Sequence, residues 1–383
     1  MDWIESYEDT DDHVCKVITV GNHKGGVGKT SLCYALAHNM FASNYRVLLV
    51  DMDKQGSLGK LFKFNGNEEQ YRSHRLSEVY KHLDQMKYTE IITPMIAEPG
   101  DDKNPKAKID ILLGDVKLYE VVNEVEQNYG SETELMNAFE NLVNHYKSAF
   151  DFIIFDTTPV IDDVKCCRHA LSVSDCIVVA LDKFAAVEQI DTMIKAITTY
   201  SRKTPNVLFA QTMYHPDKIE ISRMFDKQAA LRRLPPCIPP VNANDITGRP
   251  GHDERRNIEH RYMLKVFPEN MCVNGIPSYP DIDRNNYFTM NKFNRVRVDN
   301  LCCEILLKAC IGAVENLCDK RLWGKKYEQL VGYMEIMRDN KTKSMKIRKT
   351  KDVIKPSSKK SVRIDKEAVN RRAVLEREAR RNG

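Results

Sequence analysis

Three things are scarce in this 383-residue chain: long apolar runs, paired cysteines and aromatics near the C-terminus. No apolar run approaches the roughly 18 residues that cross a bilayer, which excludes a helical membrane protein. The first residues, MDWIESYEDTDD, are acidic and lack an apolar core segment, so they do not read as a secretory leader. The 11 cysteines are odd in number, include the adjacent pairs Cys166-Cys167 and Cys302-Cys303, and never form C-x-x-C. That excludes a disulfide framework or a zinc ribbon and leads us to expect buried thiols in the cytoplasm. No aromatic follows Tyr333, so the C-terminal segment has nothing on which single-stranded bases would stack. There is no internal repeat.

What is present suffices for one large or two ordinary domains: 42% of residues are apolar and 29% charged. The net charge of +4 conceals an asymmetry. Residues 324–383 carry 19 Lys and Arg against 8 Asp and Glu, a balance of +11 that leaves −7 for residues 1–323. An acidic body carries a basic tail.

Apolar runs at 15–22, 46–53, 107–115, 151–156, 176–181 and 206–211 read as strands. Helical spacing is expected at about 30–42, 77–86, 131–147, 185–200, 217–233 and 295–319. Strands apolar on both faces and separated by helices make a doubly wound α/β fold, with a mostly parallel sheet flanked by helices. The expected organisation is an acidic segment 1–13, one domain over 14–323 and a basic tail over 324–383. The proline- and turn-rich stretch at about 234–262 reads as an irregular insertion. Much of the tail is too charged to fold alone; a short helix is expected just beyond Trp323, with Tyr327, Leu330, Val331, Met334 and Met337 on one face.

The stretch NHKGGVGKTS at 22–31 lies between the first strand and the first helix. It departs from G-x-x-x-x-G-K-[ST] because His23 stands where the first glycine belongs. Gly25, Gly26 and Gly28 remain, and glycines let successive N–H groups turn inward to form an anion-binding nest with the helix N-terminus. Nucleotide binding is therefore expected across Lys24, Gly25, Gly26, Val27, Gly28, Lys29, Thr30 and Ser31. Lys29 suits the β- and γ-phosphates, and the Thr30 hydroxyl suits Mg²⁺. DFIIFD supplies Asp156 at the end of an apolar strand, as a Walker B acid holding that metal. In LLVDMDKQGS, Asp51 and Asp53 are two apart and would share a face of an extended strand. A carboxylate there would position the attacking water or, in the case of Asp51, help hold the metal.

NHKGGVGKTSLCYALAHNM, RVLLVDMDKQGS and FDFIIFDTTPV stand in the order and spacing of the deviant Walker A ATPases, and specifically resemble the ParA (Soj-like) partition family. IDILLGDVKLYEVV, TMYHPDKIEISRMF and VNGIPSYPDIDRNN resemble later segments of that family more loosely. The resemblance implies a P-loop ATPase that uses ATP and Mg²⁺. It implies that Lys24 reaches across a homodimer interface to the partner's phosphates, so that Lys24 and Asp53 are the catalytic pair. It further implies ATP-dependent binding to DNA without sequence preference, hydrolysis stimulated by a ParB-like adaptor, and a place on the nucleoid. Lys54 stands where the family usually has proline, and His23 where glutamine is common.

The DNA-contacting residues do not align. The candidates are Arg232, Arg233, Arg255, Arg256, Arg295 and Arg297 in the body, and Lys346, Arg348, Lys349, Lys351, Lys359 and Lys360 in the tail, where spread lysines would neutralise phosphates. Only 23 residues precede Lys24, too few for the helix-turn-helix domain of larger relatives, so operator binding is not expected. Other readings remain open. A MinD-like positioning ATPase would need an apolar C-terminal anchor, and the last helix offers only Ala368, Val369, Ala373, Val374, Leu375 and Ala379. An iron–sulfur carrier would use Cys166 and Cys167, and a nucleotide-binding regulator would turn over little.

Overall fold

Buried β-branched runs account for most of the strands: Lys16–Gly21 (β1), Arg46–Asp51 (β2), Lys108–Leu112 (β4), Phe152–Asp156 (β5), Cys176–Leu181 (β6) and Asn206–Tyr214 (β7). Two strands that periodicity does not announce complete the sheet, Thr93–Ala97 (β3) and Met271–Pro277 (β8). The computed structural model describes residues 14–62, 75–83, 93–97, 107–161, 163–181, 187–214, 263, 266–277, 292–310 and 314–332. The expected segment 1–13, the helix at 217–233, the insertion at 234–262 and nearly all of the tail lie outside them.

The sheet runs β3-β4-β2-β5-β1-β6-β7-β8, parallel throughout except for the antiparallel edge pair β3–β4. The chain winds outward from β1 in both directions, so β1, β2 and β5 meet at the crevice where doubly wound folds bind ligands. Edge position explains how β3 tolerates Pro94: a proline cannot donate to a second neighbour, and an edge strand has none on that side.

Helices among the described residues include Lys29–Ala42 (α1), Ser57–Leu61 (α2), Leu76–Lys81 (α3), Leu118–Tyr129 (α4), Glu132–Lys147 (α5), Lys165–Val173 (α6), Val187–Tyr200 (α7) and Lys292–Cys310 (α8). Eleven of the 14 residues of α1 are buried, because it is covered by the sheet on one side and by α8 on the other, where Asn39 donates to Asp299. Ser131 caps α5 by accepting from Glu134 N–H, and Gly130 ends α4 in the left-handed region.

Two boundaries differ from expectation. The helix expected over 295–319 is described as Lys292–Cys310, residues 314–316 are not helical, and a turn at 317–319 precedes a new helix from 320. Asn316 accepts from Cys318 N–H, and Asp319 accepts from Arg321 and Leu322 N–H, so these side chains cap rather than continue a helix. The body also does not end at Trp323. Leu330 is fully buried, Lys326 bonds the Val266 carbonyl, and the compact unit runs to Val331. Trp323 stacks on Phe267 and donates its indole N–H to Asp191.

Candidate functional site

At the end of β1 the chain must turn sharply into α1. Gly26 (φ +71°) and Gly28 (φ +81°) take left-handed conformations that side-chain-bearing residues resist. Gly28 caps α1 without a side-chain acceptor, so no cap side chain takes the first N–H groups of the helix. Gly25 is different. A Cβ there would meet only Pro159 Cγ, at an ordinary 3.6 Å, and no neighbour lies within 4 Å of one at Gly26. Both glycines are exposed, so the crowding that glycine relieves at position 25 has no source among the described residues.

Long-range bonds hold the loop in place. Asn22, at the end of β1, donates to the Ala180 carbonyl of β6 and accepts from Lys24 N–H at 3.0 Å. Thr212, at the end of β7, donates to the carbonyl of fully buried Val27. Lys29 folds back over the loop and donates to the Lys24 carbonyl at 3.0 Å. Burial lowers the pKa of Lys29, with Asp156 and then Asp53 opposing the drop. Thr30 and Ser31 follow on the first turn of α1, half-buried.

Asp156 and Asp51 end neighbouring strands in register, β5 beside β2. Both are fully buried, yet their surroundings differ. Asp51 Oδ1 accepts from Asp53 N–H at 3.1 Å and Oδ2 from Leu58 N–H at 3.0 Å. Neither Asp156 oxygen has a hydrogen-bond partner of good geometry. Burial pushes the Asp156 carboxyl up to about 7; the Thr30 hydroxyl and the Lys29 ammonium oppose the rise, and Asp53 adds to it. Burial and the charge of Asp156 raise Asp51 as well, against its two backbone donors. A buried carboxylate with both oxygens unpaired is costly unless something else completes it.

β2 ends at Asp51 and the backbone turns, so Asp53 lies beyond the strand, where the second acid is expected to swing away from the first. The metal role considered for Asp51 has a physical competitor, since both its oxygens already fasten that turn. Half-buried Asp53 uses Oδ1 to accept from Gln55 N–H at 3.0 Å. Gly114, which the sequence does not single out, packs beneath. A Cβ there would come within 2.4 Å of the Asp53 carbonyl and 2.9 Å of the Asp51 carbonyl.

Lys24, Gly25, Gly26, Val27, Gly28, Lys29, Thr30, Ser31, Asp51, Asp53 and Asp156 thus gather at one end of the sheet. Of the DNA candidates, Arg295 and Arg297 fall on α8, and Arg232, Arg233, Arg255, Arg256 and the tail lysines and arginine lie outside the described residues. Cys166 and Cys167 are buried on α6, the Cys166 thiol facing the Met52 carbonyl. Among the described residues no helix is long and apolar enough to cross a membrane.

The family described as an AAA domain matches residues 15–209. The chromosome partitioning protein ParA of Caulobacter vibrioides is 24% identical over 265 residues, covering 69% of this chain and 84% of that one. A plasmid partition protein of Borrelia burgdorferi B31 bound to AMPPNP superposes with a TM-score of 0.51 at 19% identity, over 77% of this chain and 99% of that one. The McdA–ATP complex from Cyanothece superposes with a TM-score of 0.52 at 12% identity, over 77% and 96%. At these identities the two structures show a shared fold.

Proposed function

The chain belongs to the ParA-like family of AAA domains, and from that premise we propose that it is a Mg²⁺-dependent ATPase of DNA partition. Lys29 takes the β- and γ-phosphates, aided by the N–H groups of Gly25 to Ser31. Lys24 reaches the phosphates of a second copy, so ATP holds two protomers together and its hydrolysis releases them. Asp53 keeps Oδ2 for the attacking water while Oδ1 is occupied by Gln55.

The observation that carries this reading is Asp156. Its two buried oxygens, without a hydrogen-bond partner of good geometry among the described residues, stand beside Thr30 and Lys29 at the start of a helix that has no side-chain cap, and a hard divalent cation suits them. Thr30 and Asp156 would hold Mg²⁺, which when bound offsets the charge of the phosphate oxygens. Asp51 is left to its backbone bonds. The internally unexplained glycine at position 25 supports the same reading, since a phosphate or a partner protomer would supply the crowding.

We place the ATPase unit at 14–331 and assign the basic tail, with Arg295 and Arg297, to non-specific DNA. A ParB-like adaptor stimulates turnover, and the protein works on the nucleoid in the cytoplasm. The test is sedimentation with Mg-ATP, with ADP and without nucleotide, run beside gel shifts on random-sequence duplex. ATP alone is expected to give a dimer that binds DNA, and Lys24→Ala is expected to bind ATP as a monomer. One unchanging oligomer under all three conditions would defeat the reading.

A further inference from the structure

Asp53 heads a four-residue turn closed by Gly56 N–H donating to the Asp53 carbonyl at 2.9 Å. The second position of such a turn favours proline, whose ring fixes φ, whereas Lys54 leaves it free. A tyrosine on α4 makes up the difference. Lys54 N–H, a group proline lacks, donates to Tyr119 Oη at 3.4 Å, and Oη donates to the Met52 carbonyl at 3.4 Å. One phenol therefore bonds the backbone on both sides of Asp53. The Lys54 ammonium lies 5.6 Å from the centre of the same ring, within cation–π range.

The phenol is well held. Leu118 is fully buried and Val122 nearly so, which fixes the orientation of α4, and Asp115 secures the helix start by accepting from Lys117 N–H. Burial raises the pKa of Tyr119 above its ordinary value, with the neighbouring Thr158 hydroxyl opposing the rise, so the hydroxyl keeps its proton. Thr158 lies two residues beyond Asp156, so Tyr119 stands near both acid-bearing loops.

We infer that Tyr119 is a positioning residue for hydrolysis: by clasping the Met52 carbonyl and the Lys54 amide it holds the Asp53 carboxylate where the attacking water must be. This rests on the ATPase reading above. Both bonds are long, so the expected effect is modest, about five- to tenfold on turnover.

The test is steady-state ATP hydrolysis by the full chain, with nucleotide affinity and thermal midpoint measured in parallel. Tyr119→Phe keeps the ring and removes only the hydroxyl. It is expected to lower kcat about five- to tenfold while affinity and midpoint hold. Adding Lys54→Pro to Tyr119→Phe is expected to restore most of the lost turnover, because the pyrrolidine ring fixes the turn that the hydroxyl no longer clasps. An unchanged kcat in Tyr119→Phe would overturn the inference, as would a joint fall of kcat, affinity and midpoint, or a double variant no faster than Tyr119→Phe. Wild-type protein that hydrolyses no ATP would instead overturn the ATPase reading, and this inference with it.

Discussion

The two ends of the sheet use the same residue type in opposite ways. At the N-terminal end, Asp151 and Asp175 each stand one residue before a strand. Asp151 accepts from Arg46 N–H at 2.6 Å, pairs with the Arg46 guanidinium, and joins β1 and β2 through its own backbone. Asp175 accepts from Val17 N–H at 2.8 Å, pairs with Lys203, and bonds Val17 and Asn206 through its backbone. The backbone bonds there tie together the starts of β1, β2, β5, β6 and β7. At the C-terminal end, Asp156 is buried with no hydrogen-bond partner of good geometry among the described residues, beside a loop whose Gly25 and Gly26 are exposed. One end is finished by the chain itself, and the other is left for a ligand to finish.

The sharpest way to break this contrast is Lys29→Ala. It removes the main phosphate cation, and nucleotide titration is expected to show at least about a hundredfold loss of affinity. The free protein should melt no lower, because Lys29 is a buried ammonium whose burial already disfavours its charge. A large fall in midpoint would place Lys29 among the structural residues instead.

The second experiment is a pH series with Asp156→Asn as control. The folded pKa of Asp156 is raised from 3.8 to about 7, so the free folded protein binds this proton more tightly than the unfolded chain does. Its stability should therefore fall as pH rises from about 4 to about 7, then level off. Mg²⁺-nucleotide binding needs the carboxylate and should strengthen over the same interval. Asp156→Asn is expected to shrink the stability slope, with Asp51 supplying the remainder, and to weaken Mg²⁺ dependence at every pH. Equal slopes in the two proteins would show that Asp156 does not carry the titration.

The smallest expected effect is at the finished end. Asp175→Ala orphans Val17 N–H and should cost about 1–3 kcal/mol in urea unfolding, with nucleotide affinity unchanged. Matching losses of stability and affinity would mean that the two ends are not separable.

How much of this could be read in the sequence follows from distance along the chain. The glycine loop, Lys29, Thr30 and Asp156 were legible because strand, loop and helix are contiguous, and a short apolar run ends in the acid. The alternation also announced the parallel sheet. Asn22, Gly114, Tyr119 and Thr212 were not legible as parts of the site, since their partners lie up to 185 residues away and no local period encodes such contacts. The helix α4 was missed for another reason. Leu118, Val121, Val122 and Val125 have helical spacing, but three valines in a short charged stretch weaken a propensity-based reading, and burial of that stripe decides the outcome. Asp51 shows a third limit: the pattern puts an acid at the strand end, but nothing local announces that both its oxygens accept backbone N–H groups.

The chain has two tryptophans, and Trp323 is the one seated against Phe267 with its indole N–H bonded to Asp191. That seat makes the side chain a native optical reporter. With Trp3→Phe removing the other fluorophore, the emission should be blue-shifted and slow to quench with iodide while the helix that begins at 320 stays docked. A red shift on adding a partner would register departure of the segment leading into the basic tail, in solution and without any attached dye.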